Sequence, residues 1–260
     1  MEYKNEKLEY FENNLKSQKI AVIGLGVSNI PLIEYLYKKH ADVTVFDDRE
    51  EEKLNQDIRE KLQKYGFKYF LGNGNLKNLK GFDLIFRSPS CMPTKPELVE
   101  EKNRGAIVTT EIEQLIKMAP CKVIGITGSD GKTTTTTLTY QILKDAGYTV
   151  HLGGNIGIPL FTKLNEIKPD DIIVLELSSF QLMGMDISPE ISAITNITPN
   201  HLNIHKDYQE YIDAKKNIFK YQSKNGILVL NADNDITNSC KDEAYGKAVS
   251  YTHLRAHETP

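Results

Sequence analysis

The segment from Lys122 to Thr137 constrains the fold more than any other part of the chain. Val123 to Ile126 is a short apolar run of the kind that forms a buried parallel strand. It breaks into Thr127-Gly128-Ser129-Asp130-Gly131-Lys132-Thr133, then into a segment whose Leu138, Ile142, Leu143 and Ala146 fall on one helical face. A strand, a glycine turn and a helix N-terminus in that order make a phosphate cradle. The glycines let backbone N–H groups converge on an anion, and the helix dipole adds positive potential. Lys132 can then reach the β- and γ-phosphates of a nucleoside triphosphate, and the Thr133 hydroxyl can ligate Mg²⁺. The spacing is more compact than the common phosphate loop, whose first glycine would stand at Ile126. An ordinary tight turn with a solvated lysine is the plainer reading, and the strand before and helix after argue against it.

A length of 260 residues suits one large or two medium domains. The apolar fraction of 40% and charged fraction of 26% are those of a soluble globular protein. Net charge is −3, and no Lys/Arg cluster is dense enough for a nucleic-acid groove. Met1 to Asn14 is charged throughout, unlike a secretory signal, and no apolar run approaches a membrane span. Cys91, Cys121 and Cys240 are scattered without metal-ligand spacing, which fits a reducing cytoplasm.

Upstream, residues 1–18 are polar, a short helix or an arm. Lys19 to Ile23 reads as a strand, followed by the turn Gly24-Leu25-Gly26-Val27-Ser28 and a helix carrying Ile30, Ile33, Leu36 and Tyr37. A second strand, Asp42 to Phe46, ends in Asp47-Asp48. An acidic residue about 20 positions past the glycines is where a dinucleotide fold grips a ribose. The third glycine of that fingerprint is Asn29, which argues for a different geometry and against NAD. A helix is expected over Glu51 to Tyr65, then strands at Phe67 to Leu71 and Asp83 to Phe86, the latter ending in Arg87-Ser88-Pro89. Strand ends at one edge of a parallel sheet line its ligand crevice, so Gly24, Asp47 and Ser88 can face one ligand; simple strand termination is the alternative for Ser88. A helix from Lys95, a strand at Ala106 to Val108 and a helix from Thr110 to Met118 lead to a hinge at Ala119-Pro120.

After the phosphate loop, Gly153-Gly154-Asn155-Ile156-Gly157 is a turn presenting one amide side chain. The strand Asp171 to Leu175 delivers Glu176 to its C-terminal tip, where a carboxylate can hold a nucleotide's Mg²⁺. Ile191 to Thr195 leads to His201, an imidazole at another strand exit that can ligate a metal or order a phosphate. A helix from Tyr208 to Tyr221 carries Lys215 and Lys216, between which spacing does not choose. Residues 250–260 show no strand alternation and no helix stop, and are set aside from fold reasoning as an unassigned tail or a sequence-assembly scar.

The Ile126–Thr134 loop, Gly153–Gly157, Glu176–Leu182 and Asn196–His201, in that order, resemble the Mur ligase family of bacterial cell-wall synthesis, and the upstream Gly24–Ser28 turn and Ser88-Pro89 pair are nearest its D-glutamate-adding branch. The resemblance implies an α/β architecture: a Rossmann-like parallel-sheet domain over residues 1–113 that binds a UDP-substrate, then an ATPase domain over 114–249. It implies an amide ligase in which ATP and two Mg²⁺ ions activate the carboxylate of UDP-N-acetylmuramoyl-L-alanine as an acyl-phosphate for attack by D-glutamate. Partners are then small molecules, with neither nucleic acid nor membrane, and the chain a cytoplasmic monomer. By position, Thr127, Gly128, Ser129, Asp130, Gly131, Lys132, Thr133 and Thr134 bind ATP. Gly24, Leu25, Gly26, Val27, Ser28, Asp47, Ser88, Asn155, Ser178 and Gln181 bind the UDP-substrate. Thr133, Glu176, His201 and Lys215, the last as a carbamate, hold metal; Lys132, Glu176, His201 and Lys215 are the catalytic set. Asn200 and Asn203 stand where many members carry aspartates, which weakens the support expected around His201. The family's C-terminal domain is absent from the sequence, so the chain alone is expected not to complete the cycle. An NAD-dependent oxidoreductase and a folylpolyglutamate-type or other Mur ligase are the rival readings.

Overall fold

The computed structural model describes residues 3–200 and 204–253. The chain folds as two compact units, Met1–Met118 with Phe161–Glu166, and Ala119–Leu160 with Ile167–Pro260.

The first unit is built on β1 (Lys19–Ile23), β2 (Asp42–Asp47), β3 (Lys68–Leu71), β4 (Leu84–Arg87) and β5 (Ile107–Thr109). They form one parallel sheet in the order β3-β2-β1-β4-β5. Ile20 to Ile23 are all buried, the signature of a central strand covered on both faces. The helices are α1 (Glu6–Leu15), α2 (Asn29–Lys38), α3 (Gln56–Tyr65), α4 (Pro96–Arg104) and α5 (Glu111–Met118). Strand order reverses at β1, so the ligand crevice of such a sheet opens at the C-terminal tips of β1 and β4. The helix expected over Glu51 to Tyr65 is broken: a 3₁₀ turn spans Glu51–Lys53, and Leu54 and Asn55 are extended. Asn55 Oδ1 accepts from the Ile58 N–H at 3.0 Å, an N-cap that starts a new helix rather than continuing the old turn.

The second unit contains β6 (Lys122–Thr127), α6 (Lys132–Asp145), β7 (Val150–Gly154), β8 (Ile172–Glu176), α7 (Ser179–Leu182), β9 (Ile191–Ile194), α8 (Tyr208–Lys220), β10 (Ile227–Asn231), α9 (Asp235–Ser239) and β11 (Lys247–Tyr251). Its parallel sheet runs β11-β10-β9-β6-β8-β7. The chain moves one way from β6 to β7 and the other way from β8 through β9 and β10 to β11. Right-handed crossovers therefore put α6 on one face and α8 and α9 on the other.

Two expectations change here. Leu143 packs on the Ile126–Ile172–Val174 cluster, but Leu138 and Ile142 are 56% and 66% exposed, and Ala146 is exposed too. The sheet-facing stripe runs through Thr136, Tyr140 and Leu143, because the phosphate loop that starts α6 sets its rotation. The strand structure also continues past residue 249, into the stretch expected to be a tail. Ser250 and Tyr251 complete β11, paired with Leu230 and Asn231, and Asp233 Oδ2 accepts from the His253 N–H at 2.7 Å. No residue of this edge strand is fully buried, so it lacks an apolar run to announce it.

In the first unit, Phe161 is fully buried against Phe11, Tyr35 and Phe86, with ring centroids 5.7, 5.5 and 6.3 Å away. Its N–H donates to Glu111 Oε1 at 3.0 Å, while Glu111 Oε2 is buried without a hydrogen-bond partner among the described residues. Burial pushes the Glu111 carboxyl up to about 7, against the one backbone bond that lowers it. The folded chain thus holds a proton on Glu111 between about pH 4.5 and 7 that the unfolded chain has lost, so this group's contribution to stability falls as pH rises through that window. Glu111→Gln, a neutral isostere, is expected to stabilise the protein at pH 8 by about 1–3 kcal/mol and to gain almost nothing at pH 4.5. Chemical denaturation at both pH values measures this; an equal effect at each would contradict the assignment.

Candidate functional site

In the first unit, the turn after β1 is shaped by buried side chains. Gly24 sits at φ +91°, and a Cβ there would come within 2.7 Å of Ser88 Oγ, so the tips of β1 and β4 meet at a glycine. Asn29, in the place of the missing third glycine, is buried, and its amide donates to the carbonyls of Ile23 and Gly24, each at 2.9 Å. These bonds brace the turn in a way no glycine could. Asp47 is also buried. Its Oδ2 accepts from the Leu25 N–H at 2.7 Å and from Arg49 Nη2 at 2.9 Å, and its Oδ1 accepts from Arg49 Nε and the Arg49 N–H. Burial alone would raise its pKa, but the bonds from Arg49 and the Leu25 N–H hold the carboxyl below its usual range.

Asp47 therefore orders the turn, and Arg49, which also donates to the Leu25 carbonyl at 3.0 Å, brings a half-exposed guanidinium to it. Arg49 is a residue that sequence reasoning misses, although its place two residues past the acidic strand tip is a usable signal. Val27 is 82% exposed, Gly26 is exposed, Ser28 makes no capping bond, and Ser88 Oγ lies 3.0 Å from Ser90 Oγ.

In the second unit, the loop after β6 is held from below and from the side. A Cβ on Gly128 would fall 1.9 Å from Thr195 Oγ1, so only glycine permits this approach. Thr195 Oγ1 donates to the Asp130 carbonyl at 2.6 Å, Asn196 accepts from the Ser129 and Asp130 N–H groups at 2.9 Å each, and Ser129 Oγ accepts from the Thr198 N–H at 2.9 Å. Lys132 Nζ donates back to the Ser129 carbonyl at 2.9 Å, while Thr133 and Thr134 at the start of α6 are exposed. Thr127 Oγ1 donates to the Leu177 carbonyl at 2.6 Å, joining the loop to the exit of β8.

Glu176 ends β8 and is 1% exposed. Its Oε1 accepts from the Asn155 amide at 2.9 Å, and its Oε2 is buried without a hydrogen-bond partner among the described residues. Of the two lysines, Lys215 is the buried one. It is 1% exposed, donates to the Gly128 carbonyl at 2.7 Å and lies 4.7 Å over the Tyr211 ring, whereas Lys216 pairs with Glu243. Burial, with the nearby Lys132 charge adding to it, lowers the Lys215 pKa from 10.5 to about 7. Ser178 and Gln181 form a capping box at the start of α7: the Ser178 N–H donates to Gln181 Oε1 at 3.0 Å and Ser178 Oγ accepts from the Gln181 N–H at 3.2 Å. His201 lies outside the described residues. Thr195, Asn196 and Tyr211 are likewise missed by sequence reasoning; Tyr211 stands one helical turn before Lys215, on the same face, which is the signal that could find it.

Among the described residues no group of three or more His, Cys, Asp and Glu could hold a metal ion. A Mg²⁺ site needs no such cluster: it takes one or two protein oxygens and completes its shell with water and substrate phosphates. The unpartnered Glu176 Oε2, the exposed Thr133 at the same edge of the sheet, and the glycine-only approach at Gly128 fit a bound metal–nucleotide.

The Lys215 shift has a consequence for stability. Between about pH 7 and 10.5 the unfolded chain carries a proton on this amine that the folded chain lacks, so stability from this group rises with pH across that window. Lys215→Met is expected to raise the unfolding free energy at pH 7 by on the order of 1–3 kcal/mol, with the margin narrowing toward pH 10. Denaturation in carbonate-free buffer measures both; a margin that widens with pH would contradict the burial account.

Comparison with known proteins follows the same division. Residues 126–259 match the family model for the Mur ligase middle domain, and residues 18–110 match that for the Mur ligase MurD-like N-terminal domain. The chain is 54% identical over 242 residues to the UDP-N-acetylmuramoylalanine--D-glutamate ligase of Clostridium botulinum strain Hall, covering 93% of this chain and 53% of that protein. It is 49% identical over 242 residues to the Clostridium acetobutylicum protein of the same name, covering 93% and 52%. The chain thus spans about half the length of the curated relatives it matches. Two solved structures share the fold. The UDP-N-acetylmuramate:L-alanyl-gamma-D-glutamyl-meso-diaminopimelate ligase from Neisseria meningitides has TM-score 0.56 at 17% identity, over 90% of this chain and 77% of its own. The UDP-N-acetylmuramate-alanine ligase from Thermotoga maritima has TM-score 0.50 at 21% identity, over 92% and 53%. With the middle-domain match alone spanning more than half of its length, the chain belongs to the Mur ligase family.

Proposed function

We propose that this chain carries the UDP-sugar-binding and ATP-binding parts of a ligase that joins D-glutamate to UDP-N-acetylmuramoyl-L-alanine, an amide-forming step of peptidoglycan synthesis and so of cell-wall growth, shape and division. The observation that carries the reading is a phosphate loop bordered by two buried ionisable groups, the Glu176 carboxylate with its open oxygen and the Lys215 amine. The 54% identity to named D-glutamate ligases favours this member over other Mur or folylpolyglutamate-type ligases. The engagement of both Asp47 oxygens disfavours an NAD ribose site.

When bound, ATP supplies the phosphoryl group that activates the L-alanyl carboxylate, and Mg²⁺ supplies the neutralising charge. The backbone N–H groups of residues 128–134 would bind the phosphates, and Lys132 would exchange the Ser129 carbonyl for a phosphate oxygen. Thr133 and Glu176 would hold one metal ion, with Asn155 orienting the carboxylate. His201 and Lys215 would hold the second. A Lys215 amine that is substantially neutral near pH 7 can add to CO₂ and release a proton, turning a buried cation into a carbamate oxygen donor. The Gly24–Ser28 turn, ordered by Asp47, and Ser88 would bind the uridine diphosphate, with Arg49 adding positive charge. Asn155, Ser178 and Gln181 would meet the muramoyl-alanine end. Both nucleotide substrates belong to the cytoplasm, and the reading needs no partner chain.

Calorimetric titration tests this directly. UDP-N-acetylmuramoyl-L-alanine and MgATP are expected to bind and NADH is not. Gly128→Ala should weaken MgATP by at least about tenfold, or 1.4 kcal/mol, through the Thr195 clash. NADH binding without UDP-sugar binding would overturn the proposal.

A further inference from the structure

The second unit holds a Ser–His–Glu sequence of contacts that the proposed chemistry does not use. His205 Nε2 lies 2.9 Å from Ser179 Oγ, and His205 Nδ1 lies 3.3 Å from Glu210 Oε2, a carboxylate that also accepts from the Lys206 N–H at 2.8 Å. Nucleophile, base and orienting carboxylate come in that order in hydrolases. Burial rules that use out: Ser179 is 2% and His205 3% exposed, and the His205 ring is stacked on Phe180 at 4.9 Å with an interplanar angle of 8°. No substrate carbonyl reaches such a serine. The arrangement acts on position instead.

What it connects is specific. Ser179 is the first residue of α7, directly after Ser178 and within the capping box that Ser178 and Gln181 close. On its other side His205 meets the edge of the Tyr211 ring at 5.2 Å, and the Tyr211 hydroxyl lies 2.9 Å from Ser129 Oγ in the phosphate loop. Tyr211 also lies beneath Lys215 Nζ, which donates to the Gly128 carbonyl. Asp207 Oδ1 caps α8 through the Glu210 N–H at 2.8 Å, fixing Glu210 and Tyr211 as a pair. A continuous set of buried contacts thus runs from the start of α7 through one imidazole to the phosphate loop. The ring thus meets the Ser179 hydroxyl through Nε2 and faces the Glu210 carboxylate through Nδ1.

We infer that His205 is a positioning residue that locks the Ser178–Gln181 segment to the phosphate loop, so that the sugar carboxylate and the nucleotide phosphates are held at one set separation. This rests on the reading that Ser178 and Gln181 meet the muramoyl-alanine end while the loop binds ATP. Two sites joined by a shared rigid contact bind their ligands interdependently, and the coupling is reciprocal.

The test measures UDP-N-acetylmuramoyl-L-alanine and a magnesium-bound non-hydrolysable ATP analogue calorimetrically, each alone and each with the other saturating. In the native chain each ligand should tighten the other by about fivefold or more. In His205→Leu, which keeps bulk and removes both ring nitrogens, each affinity alone should stay within about threefold while the coupling factor falls to about one. His205→Gln, whose amide oxygen can accept from Ser179 Oγ, should restore most of it. Ser179→Ala removes the other end of the same bond and should abolish coupling too, which covers a His205→Leu chain that fails to fold. A merely structural histidine would lower the melting temperature and leave the coupling factor alone; that result overturns the inference. Binding of both ligands without coupling in the native chain overturns it while leaving the proposed function standing. Binding of neither overturns both.

Discussion

The hydrogen bonds between the exit of β9 and the loop after β6 are what the second unit depends on. A glycine-rich loop has little shape of its own, since its residues give up the side chains that would restrict it. Here Thr195, Asn196 and Thr198 supply that shape from outside, binding the Ser129 and Asp130 N–H groups, the Asp130 carbonyl and the Ser129 hydroxyl. The closeness excludes any residue but glycine at position 128. The cradle is therefore a property of two adjacent parallel strands, β6 and β9, whose register brings Thr127 beside Ile194. The same edge of the sheet brings Glu176 into register with Ile126.

Around that edge the protein keeps ionisable groups out of water. Glu176 and Lys215 are each 1% exposed, and among the described residues neither is in a salt bridge. Buried charge is costly unless paired or hydrogen-bonded, so such groups mark sites where an ion or a charged ligand belongs. Asp47 in the first unit is the contrasting case. It is buried too, yet both oxygens are occupied by Arg49 and backbone N–H groups, which makes it an organiser of its turn. Two carboxylates at strand tips, alike in sequence, are separated in role by whether an oxygen is left open.

α6 shows how a site can dominate packing. A helix that follows a phosphate loop starts where the loop delivers it, and Lys132 must begin the first turn. Its rotation is then fixed, and the apolar residues fall where they fall: Leu143 inward, Leu138 and Ile142 outward. Because handedness leaves α6 opposite α8 and α9, Ile191, Ala193, Ile227 and Val229 on β9 and β10 are only half-buried on the side away from those helices.

The division between sequence and tertiary structure follows the range of the interactions concerned. Strands such as Ile20 to Ile23 and Ile172 to Leu175, the glycine turns after β1 and β6, and the delivery of Glu176 to a strand tip are legible locally, because apolar runs and glycines act over a few neighbouring residues. So is the family, through an ordered set of short motifs. The break at Leu54 and Asn55 escapes such a reading because it rests on a capping bond that apolar periodicity does not register. Strand β11 escapes it because an edge strand carries too little apolar pattern. The burial of Lys215 rather than Lys216, the engagement of Asp47 by the Leu25 N–H, and the link from Ser179 through His205 and Tyr211 to Ser129 come only with the fold. Each depends on residues 22 to 88 positions apart, or on which side of a helix faces the sheet, and burial and hydrogen-bond partnership across such distances exist only once the strands are in register.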